Sequence, residues 1–195
     1  NLKLDSGILS ELVNIKNSRS CIFGFTWIIY QILSQNENNE KVKEFFSKIP
    51  QSFILHIGGW KKLSNLSISK QEFNEKCSNV FNTNPDKIID VYGMTEQLGI
   101  VYPDCKYGNK HVPMFSEILI RNIDSLEIQP DGKSGFIQVI SPIPNSYPGT
   151  SLITDDIGEI LGRDNCPCGR KGTYFIFKKR SEIADPKGCG DTIDI

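Results

Sequence analysis

KIIDVYGMTEQLG (Lys87–Gly99) is the stretch on which the interpretation of this sequence depends. It begins with an apolar run typical of a buried strand, and it then places an aromatic ring, a hydroxyl and a carboxylate directly after that strand. In doubly wound sheets, ligands bind at the carboxyl ends of the strands. The stretch therefore predicts either a ligand-binding loop or an ordinary turn in which Thr95 and Glu96 start a helix.

The residues before this stretch alternate between strand-like and helix-like segments. Short apolar runs predict strands at SCIFGF, SFILHIGG and KIIDVYG. Helical spacing of apolar residues predicts helices at GILSELVNIKN, TWIIYQILSQ, EKVKEFFSKI and SKQEFNEKCSNVFN. The last helix opens with a capping box, because Ser69 and Glu72 are three positions apart. This alternation predicts an α/β fold, a parallel sheet with flanking helices.

The alternation of strand-like and helix-like segments ends after Gly99. Five short β runs follow, separated by Gly, Pro, Asn and Asp: GIVYPDC, SEILIRN, GFIQVIS, SLITD and TYFIFKK. They predict a small β-rich subdomain, built as an antiparallel sheet or a small barrel. We therefore expect an α/β part over 1–100, a β-rich part over 101–180 and a tail over 181–195, with the first boundary near residues 98 to 104.

The composition excludes several classes of protein. The chain has 195 residues with a formal net charge of −1 and no basic stripe, which argues against nucleic-acid binding. The longest apolar stretch, Cys21–Tyr30, is too short to span a bilayer and lacks signal-peptide flanks. We expect a cytoplasmic protein, in which six cysteines serve as thiols or metal ligands rather than as disulfides.

Two predicted strands end in residues that suit a nucleotide: HIGGW (His56–Trp60) and YGMTE (Tyr92–Glu96). Glycines allow the backbone to approach a flat ligand, and an aromatic ring can stack on a nucleobase. A threonine hydroxyl can donate to a phosphate oxygen, and a glutamate can hold Mg²⁺. Together these are the requirements of an ATP site.

The segment YGMTE matches the Tyr-Gly-x-Thr-Glu motif of the adenylate-forming enzymes, the superfamily of acyl-CoA synthetases, luciferases and adenylation domains. The segment SLITDDIGEI resembles their Thr-Gly-Asp segment, although Asp155 stands where the family has Gly. Read from the residues alone, it also fits a hairpin turn with acidic tips. The resemblance implies that Asp156 holds the ribose hydroxyls, while Arg180 stands where the family has its hinge arginine.

The same resemblance assigns roles to the two strand ends. It implies that Tyr92 covers the adenine beside Gly93, that Thr95 touches the α-phosphate and that Glu96 holds Mg²⁺. It also places Gly58–Gly59 in the position of the segment that flanks the adenine. The implied substrate is ATP.

A narrower likeness extends from about Leu55 to Asp191. LHIGGWKKL, CPCGRKGTYF and KGCGD resemble the acyl-protein synthetases of the bacterial bioluminescence fatty-acid reductase complex. The resemblance implies that a fatty acid attacks ATP to give acyl-AMP, that the acyl group moves to a cysteine thiol, and that a partner reductase receives it. The matching cysteine is Cys189, whose thiol pKa the nearby Lys187 would lower. The alternative is an ordinary exposed thiol in a loop.

Four further residues form a candidate metal set: Cys105, His111, Cys166 and Cys168. Three thiolates and an imidazole suit tetrahedral structural Zn²⁺, and phenylacetate-CoA ligase-like proteins show a similar Cys…His and Cys-x-Cys-Gly-Arg pair. Four filled positions leave no open site, so the metal would stabilise the fold rather than catalyse. The alternative is an exposed histidine with free thiols or a redox pair.

Two other features have both a functional and a structural interpretation. His56 either contacts the substrate or acyl phosphate, or is simply bonded to a backbone carbonyl at a strand end. Gly24, Phe25 and Trp27 resemble the segment that lines the acyl pocket, although a core strand running into a helix explains them equally well.

The superfamily's Ser/Thr/Gly-rich phosphate loop with its lysine, and its carboxyl-terminal lid domain, have no counterpart in these 195 residues. We therefore expect the sequence to be the later half of a longer enzyme and to turn over poorly or not at all by itself. Two alternatives to an acyl-protein synthetase stay open. One is a phenylacetate-type aryl- or acyl-CoA ligase, and the other is a non-catalytic, zinc-stabilised binding module.

Overall fold

The computed structural model describes residues 20–49, 52–60 and 66–181, together with Gly7. These residues fall into two units, the first ending at Asp90 and the second beginning at Val91. The first unit ends before residues 98 to 104, where the sequence predicts a domain boundary, and that boundary stays a prediction. The YGMTE motif therefore belongs with the β-rich residues that follow it. The hinge and tail predicted from residue 181 onward lie outside the described residues, apart from Ser181.

The first unit contains the predicted parallel strands. β1 and β2 pair in parallel, and β3 is the next neighbour in the sheet. The strands are β1 (Ser20–Phe25), β2 (Ser52–Ile57) and β3 (Ile88–Tyr92). In β2, every second residue is buried, so Ser52, Ile54 and His56 share one covered face. His56 is thus placed by the same alternation that buries Ile54.

Three helices of the first unit lie where the apolar spacing predicts them: α1 (Thr26–Asn36), α2 (Glu40–Ser47) and α3 (Lys70–Phe81). Ser69 begins α3 as predicted, because its hydroxyl accepts the Glu72 N–H at 3.2 Å. Asn82 ends the helix in the left-handed conformation, with φ of 46°. The predicted helix GILSELVNIKN lies outside the described residues apart from Gly7.

The core of the first unit packs α1 and α3 on the sheet. Ile54 and Cys77 are fully buried there, whereas Cys21 on β1 is exposed. The core consists of large apolar side chains from all these elements: Ile29, Leu33, Val42, Phe46, Ile54, Phe73, Cys77, Val80, Phe81 and Ile88. Cys77 therefore packs in the core of this unit.

The second unit contains the predicted antiparallel sheet. Its five strands lie in the order β5-β9-β8-β7-β6, and each pair of neighbours in this order is antiparallel. The end of β3 pairs separately with β4. The strands are β4 (Tyr102–Pro103), β5 (Lys110–His111), β6 (Glu117–Arg121), β7 (Ser134–Ile140), β8 (Ser151–Arg163) and β9 (Thr173–Arg180). The α/β fold class with a β-rich part is confirmed.

β8 is much longer than the segment SLITD that predicted it. It passes through Asp155 and Asp156 as a paired strand, so the hairpin turn with acidic tips is absent. Register shifts against β9 follow Ile157 and Ile160. Gly158 fits this crowded stretch because a Cβ there would lie 2.7 Å from the carbonyl oxygen of Ile176. Acidic and glycine residues, normally signs of a turn, here lie within a bulged central strand.

No helix among the described residues is long and apolar enough to cross a membrane.

Candidate functional site

The YGMTE motif lies where β3 ends and the chain turns. Tyr92 is the last residue of β3, and Thr95–Gln97 form a short 3₁₀ turn. Thr95 and Glu96 are exposed, and the Thr95 hydroxyl donates to Glu96 Oε2 at 3.2 Å. Gln97 is buried and its side-chain oxygen accepts from the Tyr102 hydroxyl at 3.0 Å. The turn is therefore anchored by Gln97 while it presents its hydroxyl and carboxylate to solvent.

Tyr92 and Asp156 are in direct contact. The Tyr92 hydroxyl donates a 2.8 Å hydrogen bond to Asp156 Oδ2. The main chain of Asp156 is held in turn by Thr154, whose Oγ1 accepts the Asp156 N–H at 3.2 Å and donates to the carbonyl of Ile137 at 2.9 Å. Two of the residues predicted to bind nucleotide are thus brought together on β3 and β8.

The Tyr92 ring belongs to an aromatic cluster within the second unit. It lies nearly parallel to Phe177, with ring centroids 5.8 Å apart and 26° between the planes, and edge-on to Phe175. Tyr102 packs at 5.9 Å. These contacts fix the ring direction, and with it the direction of the hydroxyl toward Asp156. The predicted contact between this ring and a nucleobase stays a prediction.

The charges around Asp156 oppose one another. Burial raises the pKa of Asp156, and the charges of Asp155 and Glu96 raise it further, while the Tyr92 hydrogen bond and Arg180 lower it. The influence of Glu96 shows that the motif carboxylate lies near enough to Asp156 for their charges to interact. Burial, followed by the charge of Asp156, raises the pKa of Tyr92, so its phenol stays a proton donor at neutral pH.

Arg180, the predicted hinge arginine, is the last residue of β9 and lies opposite Asp156 in the sheet register. Its side chain is exposed. The structure therefore places this cation beside the predicted ribose-binding carboxylate. Its role as a hinge remains a prediction.

Tyr147 and Gly149, which the sequence analysis did not single out, lie against the main chain at and just after the YGMTE motif. The Tyr147 hydroxyl accepts the N–H of Leu98 at 3.2 Å. Gly149 lies so close that a Cβ there would be 2.7 Å from the carbonyl oxygen of Glu96. The available signal was the segment SYPGT, in which an aromatic ring and a glycine precede the Thr-Asp segment. We conclude that this loop shapes the 3₁₀ turn.

His56, at the end of β2, belongs to a buried polar group in the first unit. Its Nδ1 lies 2.9 Å from the Thr26 hydroxyl and 3.7 Å from Asp90 Oδ1. The Thr26 hydroxyl also donates to the carbonyl of Gly58 at 2.7 Å. Sequence reasoning foresaw a histidine bonded to a backbone carbonyl, and the structure places a threonine hydroxyl between the two.

The glycine pair after β2 forms an exposed turn. Gly58 has φ of +79°, a conformation that disfavours any side chain, whereas a Cβ on Gly59 would meet nothing within 4 Å. In the segment predicted to line an acyl pocket, Trp27 is buried, and a Cβ on Gly24 would contact Ile29 at 3.5 Å. Trp27 thus has the structural role that the sequence also allowed, and the acyl contact stays a prediction for Gly24 and Phe25.

The four predicted metal ligands converge in the second unit. The ligand atoms of Cys105, His111, Cys166 and Cys168 all lie within 4.8 Å of one another. The sulfurs of Cys105 and Cys166 are 4.0 Å apart, and Cys168 Sγ is 3.3 Å from His111 Nε2. The five residues between Cys105 and His111 thus close one half of the cluster, and the Cys-x-Cys turn closes the other.

Both halves of this cluster are tight loops that present N–H groups to sulfur. In one loop, the Gly108 N–H bonds to the Cys105 carbonyl at 2.7 Å, and Asn109 Nδ2 donates to Cys166 Sγ at 3.3 Å. In the other, the Arg170 N–H points at Cys168 Sγ from 3.5 Å. Donors directed at sulfur stabilise thiolates, which are the form that binds metal.

His111 is suited to the neutral state. Burial lowers the pKa of His111, and the charge of Arg170 lowers it further. Its ring stacks on Tyr174 at 5.8 Å, which fixes the direction of Nε2 toward Cys168. Neutral imidazole is the form that coordinates metal. The predicted acyl acceptor, Cys189, lies outside the described residues.

Comparison with known proteins agrees with the motifs. A family model described as "Acyl-protein synthetase, LuxE" matches residues 3–195. The long-chain-fatty-acid–luciferin-component ligase of Vibrio harveyi is 27% identical over 186 residues, covering 93% of this chain and 47% of the relative. The protein of the same name from Aliivibrio fischeri is 27% identical over 190 residues, with the same coverage. The chain spans about half the length of these curated relatives.

A solved structure shares the fold. The open conformation of 2-hydroxyisobutyryl-CoA ligase, in complex with 2-HIB-AMP and CoA, has a TM-score of 0.66 at 13% identity, over 89% of this chain and 36% of that one. The resemblance inferred from YGMTE and CPCGR is confirmed. The chain belongs to the acyl-protein synthetase family, LuxE, and has the fold of the adenylate-forming ligases.

Proposed function

We propose that this protein takes part in the ATP-dependent activation of a long-chain fatty acid and in transfer of the acyl group to a cysteine thiol. Family membership supports the proposal, as do the relatives, which are named as long-chain-fatty-acid ligases. The fold agrees with it, since the solved ligase holds an acyl-AMP. ATP would supply the adenylyl group and Mg²⁺ would neutralise phosphate charge during the first step.

The observation that carries the proposal is the 2.8 Å bond between Tyr92 and Asp156. It puts a ring suited to a base and a carboxylate suited to ribose hydroxyls next to each other. Thr95, in the same motif, would donate to the α-phosphate, and the exposed Glu96 would hold Mg²⁺. Gly93 would let the backbone approach the nucleotide.

The chemistry has two steps. The fatty-acid carboxylate attacks the α-phosphorus of ATP, the bond to the bridging oxygen breaks, and pyrophosphate leaves. A cysteine thiolate then attacks the acyl carbonyl carbon, the bond to the phosphate oxygen breaks, and AMP leaves. We propose Cys189 as this nucleophile, with nucleotide contacts from Gly58, Gly59 and Arg180 and with a reductase as the acyl recipient. A cytoplasmic location accords with these substrates.

We also propose that Cys105, His111, Cys166 and Cys168 hold a structural Zn²⁺. Tetrahedral zinc with Zn–S bonds of about 2.3 Å places two sulfurs roughly 3.8 Å apart. The observed 4.0 Å between Cys105 and Cys166 fits this geometry. Three cysteines and a histidine leave no ligand position open, so the ion would fasten the two loops and take no part in the reaction.

The decisive experiment starts from a synthetic fatty acyl-adenylate, because this bypasses the phosphate loop that these 195 residues lack. We expect a hydroxylamine-labile acyl adduct by mass spectrometry, and no adduct in Cys189→Ser. Formation of acyl-CoA, without a protein adduct, when coenzyme A is supplied would favour the CoA-ligase alternative. A chain that neither binds nor consumes the adenylate would favour the non-catalytic binding module. ATP–pyrophosphate exchange by these residues alone would contradict the expectation that they do not form the adenylate.

A further inference from the structure

Three buried or partly buried polar side chains, from Thr26, His56 and Asp90, meet near the carboxyl ends of β1 and β2 and the middle of β3. Thr26 directly follows β1, His56 is next to last in β2, and Asp90 lies within β3. Thr26 and His56 are 6% and 5% exposed, respectively, so their polar atoms must find partners inside the protein. This group lies at the sheet edge where α/β folds bind ligands, and the reaction steps above do not use it.

The hydrogen-bond distances indicate the direction of two protons in this group, that of the Thr26 hydroxyl and the one between Thr26 and His56. A threonine hydroxyl has one proton, and a backbone carbonyl can only accept. The Thr26 hydroxyl oxygen lies 2.7 Å from the Gly58 carbonyl oxygen, so its proton is donated there. The 2.9 Å contact between Thr26 Oγ1 and His56 Nδ1 must then be donated by the histidine. His56 therefore carries a proton on Nδ1, where Asp90 Oδ1 at 3.7 Å adds a favourable charge.

The relay from His56 through Thr26 holds the peptide between Gly58 and Gly59. In a trans peptide, the carbonyl and the N–H point in opposite directions, and the described chain contains no cis peptide. Because Thr26 holds the Gly58 carbonyl inward, the Gly59 N–H points outward from the turn. Both glycines are exposed, and the space at Gly59 is open. The turn therefore presents an oriented backbone donor.

We propose that Thr26 and His56 are positioning residues that hold the Gly58–Gly59 peptide so that the Gly59 N–H can donate to an acyl-adenylate. The inference rests on the proposed function for its ligand, whereas the relay itself rests on the geometry of the first unit alone. Neither side chain needs to touch the ligand. Their effect would be to fix one orientation of a turn that glycines would otherwise leave adjustable.

The relay is tested first without any ligand. Two-dimensional ¹H–¹⁵N spectra of the histidine ring distinguish a protonated from an unprotonated ring nitrogen. We expect the Nδ1–H tautomer for His56 in the wild-type protein and in Thr26→Ser, which keeps the hydroxyl. We expect a smaller share of this tautomer in Thr26→Val, which has the same shape without the hydroxyl, because only Asp90 then favours the proton on Nδ1. An Nε2–H tautomer in the wild-type protein would overturn the proposal, whatever the ligand result.

The effect on binding is tested with a hydrolysis-resistant acyl-adenylate, a fatty acyl sulfamoyl adenosine, by calorimetric titration. Asparagine can place a donor near the position of Nδ1, whereas glutamine reaches the position of Nε2. We therefore expect His56→Asn and Thr26→Ser to bind within about twofold of wild type, and His56→Gln and Thr26→Val to bind about tenfold more weakly, the size of one hydrogen bond. Thermal unfolding of all four variants shows that each is folded at the assay temperature.

The outcomes separate the two proposals. Wild-type binding with equal affinity in all four variants would overturn the positioning role and leave the proposed function intact. Equal losses in both members of each pair would indicate a purely structural role and would also overturn it. Failure of the wild-type protein to bind the analogue would contradict the proposed function, and also the assignment of an adenylate to this turn. The tautomer measurement would still decide whether the relay exists.

Discussion

The Tyr92 hydroxyl lies 2.8 Å from Oδ2 of Asp156 and joins two residues 64 positions apart in the chain. The bond ties the end of β3 to the interior of β8. A separation of these residues would have removed the physical basis for a nucleotide site in the second unit. Their contact is compatible with such a site, and the charge of Glu96 also raises the pKa of Asp156.

Replacing Tyr92 with phenylalanine tests the hydroxyl separately from the ring. We expect about tenfold weaker binding of the fatty acyl sulfamoyl adenosine, because Asp156 loses the donor that orients it. We expect Asp156→Asn to lose more, about tenfold to a hundredfold, because a charged acceptor is removed. Tyr107→Phe, at an exposed tyrosine away from this contact, is the matched control for titration calorimetry. Equal affinity of Tyr92→Phe and wild type would argue against this arrangement.

Asp156 should also give the protein a characteristic pH dependence. Its folded-state pKa is raised above the ordinary value of 3.8, mainly by burial, so the folded protein holds this proton more tightly than the unfolded chain. The stabilising contribution is full below that ordinary value and is lost as the pH rises through the folded pKa. Asp156→Asn should remove this part of the pH dependence. Urea unfolding of both proteins from pH 3.5 to about 7 measures it, and parallel curves would contradict the prediction.

Metal binding should be stoichiometric and should stabilise the fold. We expect one zinc per chain by elemental analysis and a lower melting temperature after chelation. A ligand present at 100 times its dissociation constant stabilises by about 2.7 kcal/mol. Cys168→Ser should lose both the zinc and the response to chelator, whereas Cys21→Ser, at an exposed cysteine outside the cluster, should keep both. A metal-free chain with unchanged melting would leave four unliganded side chains and refute the proposal.

Replacing each of the two glycines after β2 with alanine should affect the unfolding free energy to different degrees. Gly58→Ala should cost about 1–2 kcal/mol of unfolding free energy, because φ of +79° is unfavourable for any side chain. Gly59→Ala should cost little, because its Cβ would enter open space, yet it should weaken binding if the adenylate approaches this peptide. Urea unfolding and analogue titration together separate the two effects. Equal losses of stability would contradict both the positive φ of Gly58 and the open space at Gly59.

The helices of the first unit were predicted well because helix caps and apolar spacing depend only on residues close together in the sequence. The cap at Ser69 and the apolar spacing of α1 to α3 are properties of neighbouring residues, and these elements formed where expected. The YGMTE motif and the set of four Cys and His residues were also recognisable from sequence. A contact between residues 64 positions apart cannot be deduced from local patterns. The structure shows such a contact between Tyr92 and Asp156.

The missed features depend on tertiary contacts. The run of Asp and Gly in β8 is typical of a turn, but pairing with β7 and β9 keeps it extended through Arg163. Strand β5 is two residues long and exists through its pairing with β9. The support of the motif by Tyr147 and Gly149 had no signal beyond an aromatic residue and a glycine in a loop.

Strand β8 is long enough to contribute to both candidate sites of the second unit. Asp156 lies near the middle of the strand, whereas Arg163 ends it just before the loop with Cys166 and Cys168. At about 3.3 Å per residue, Asp156 and Arg163 are roughly 23 Å apart. A metal ion bound at the Cys166–Cys168 loop would hold the end of β8 in place and so stabilise the strand that carries Asp156.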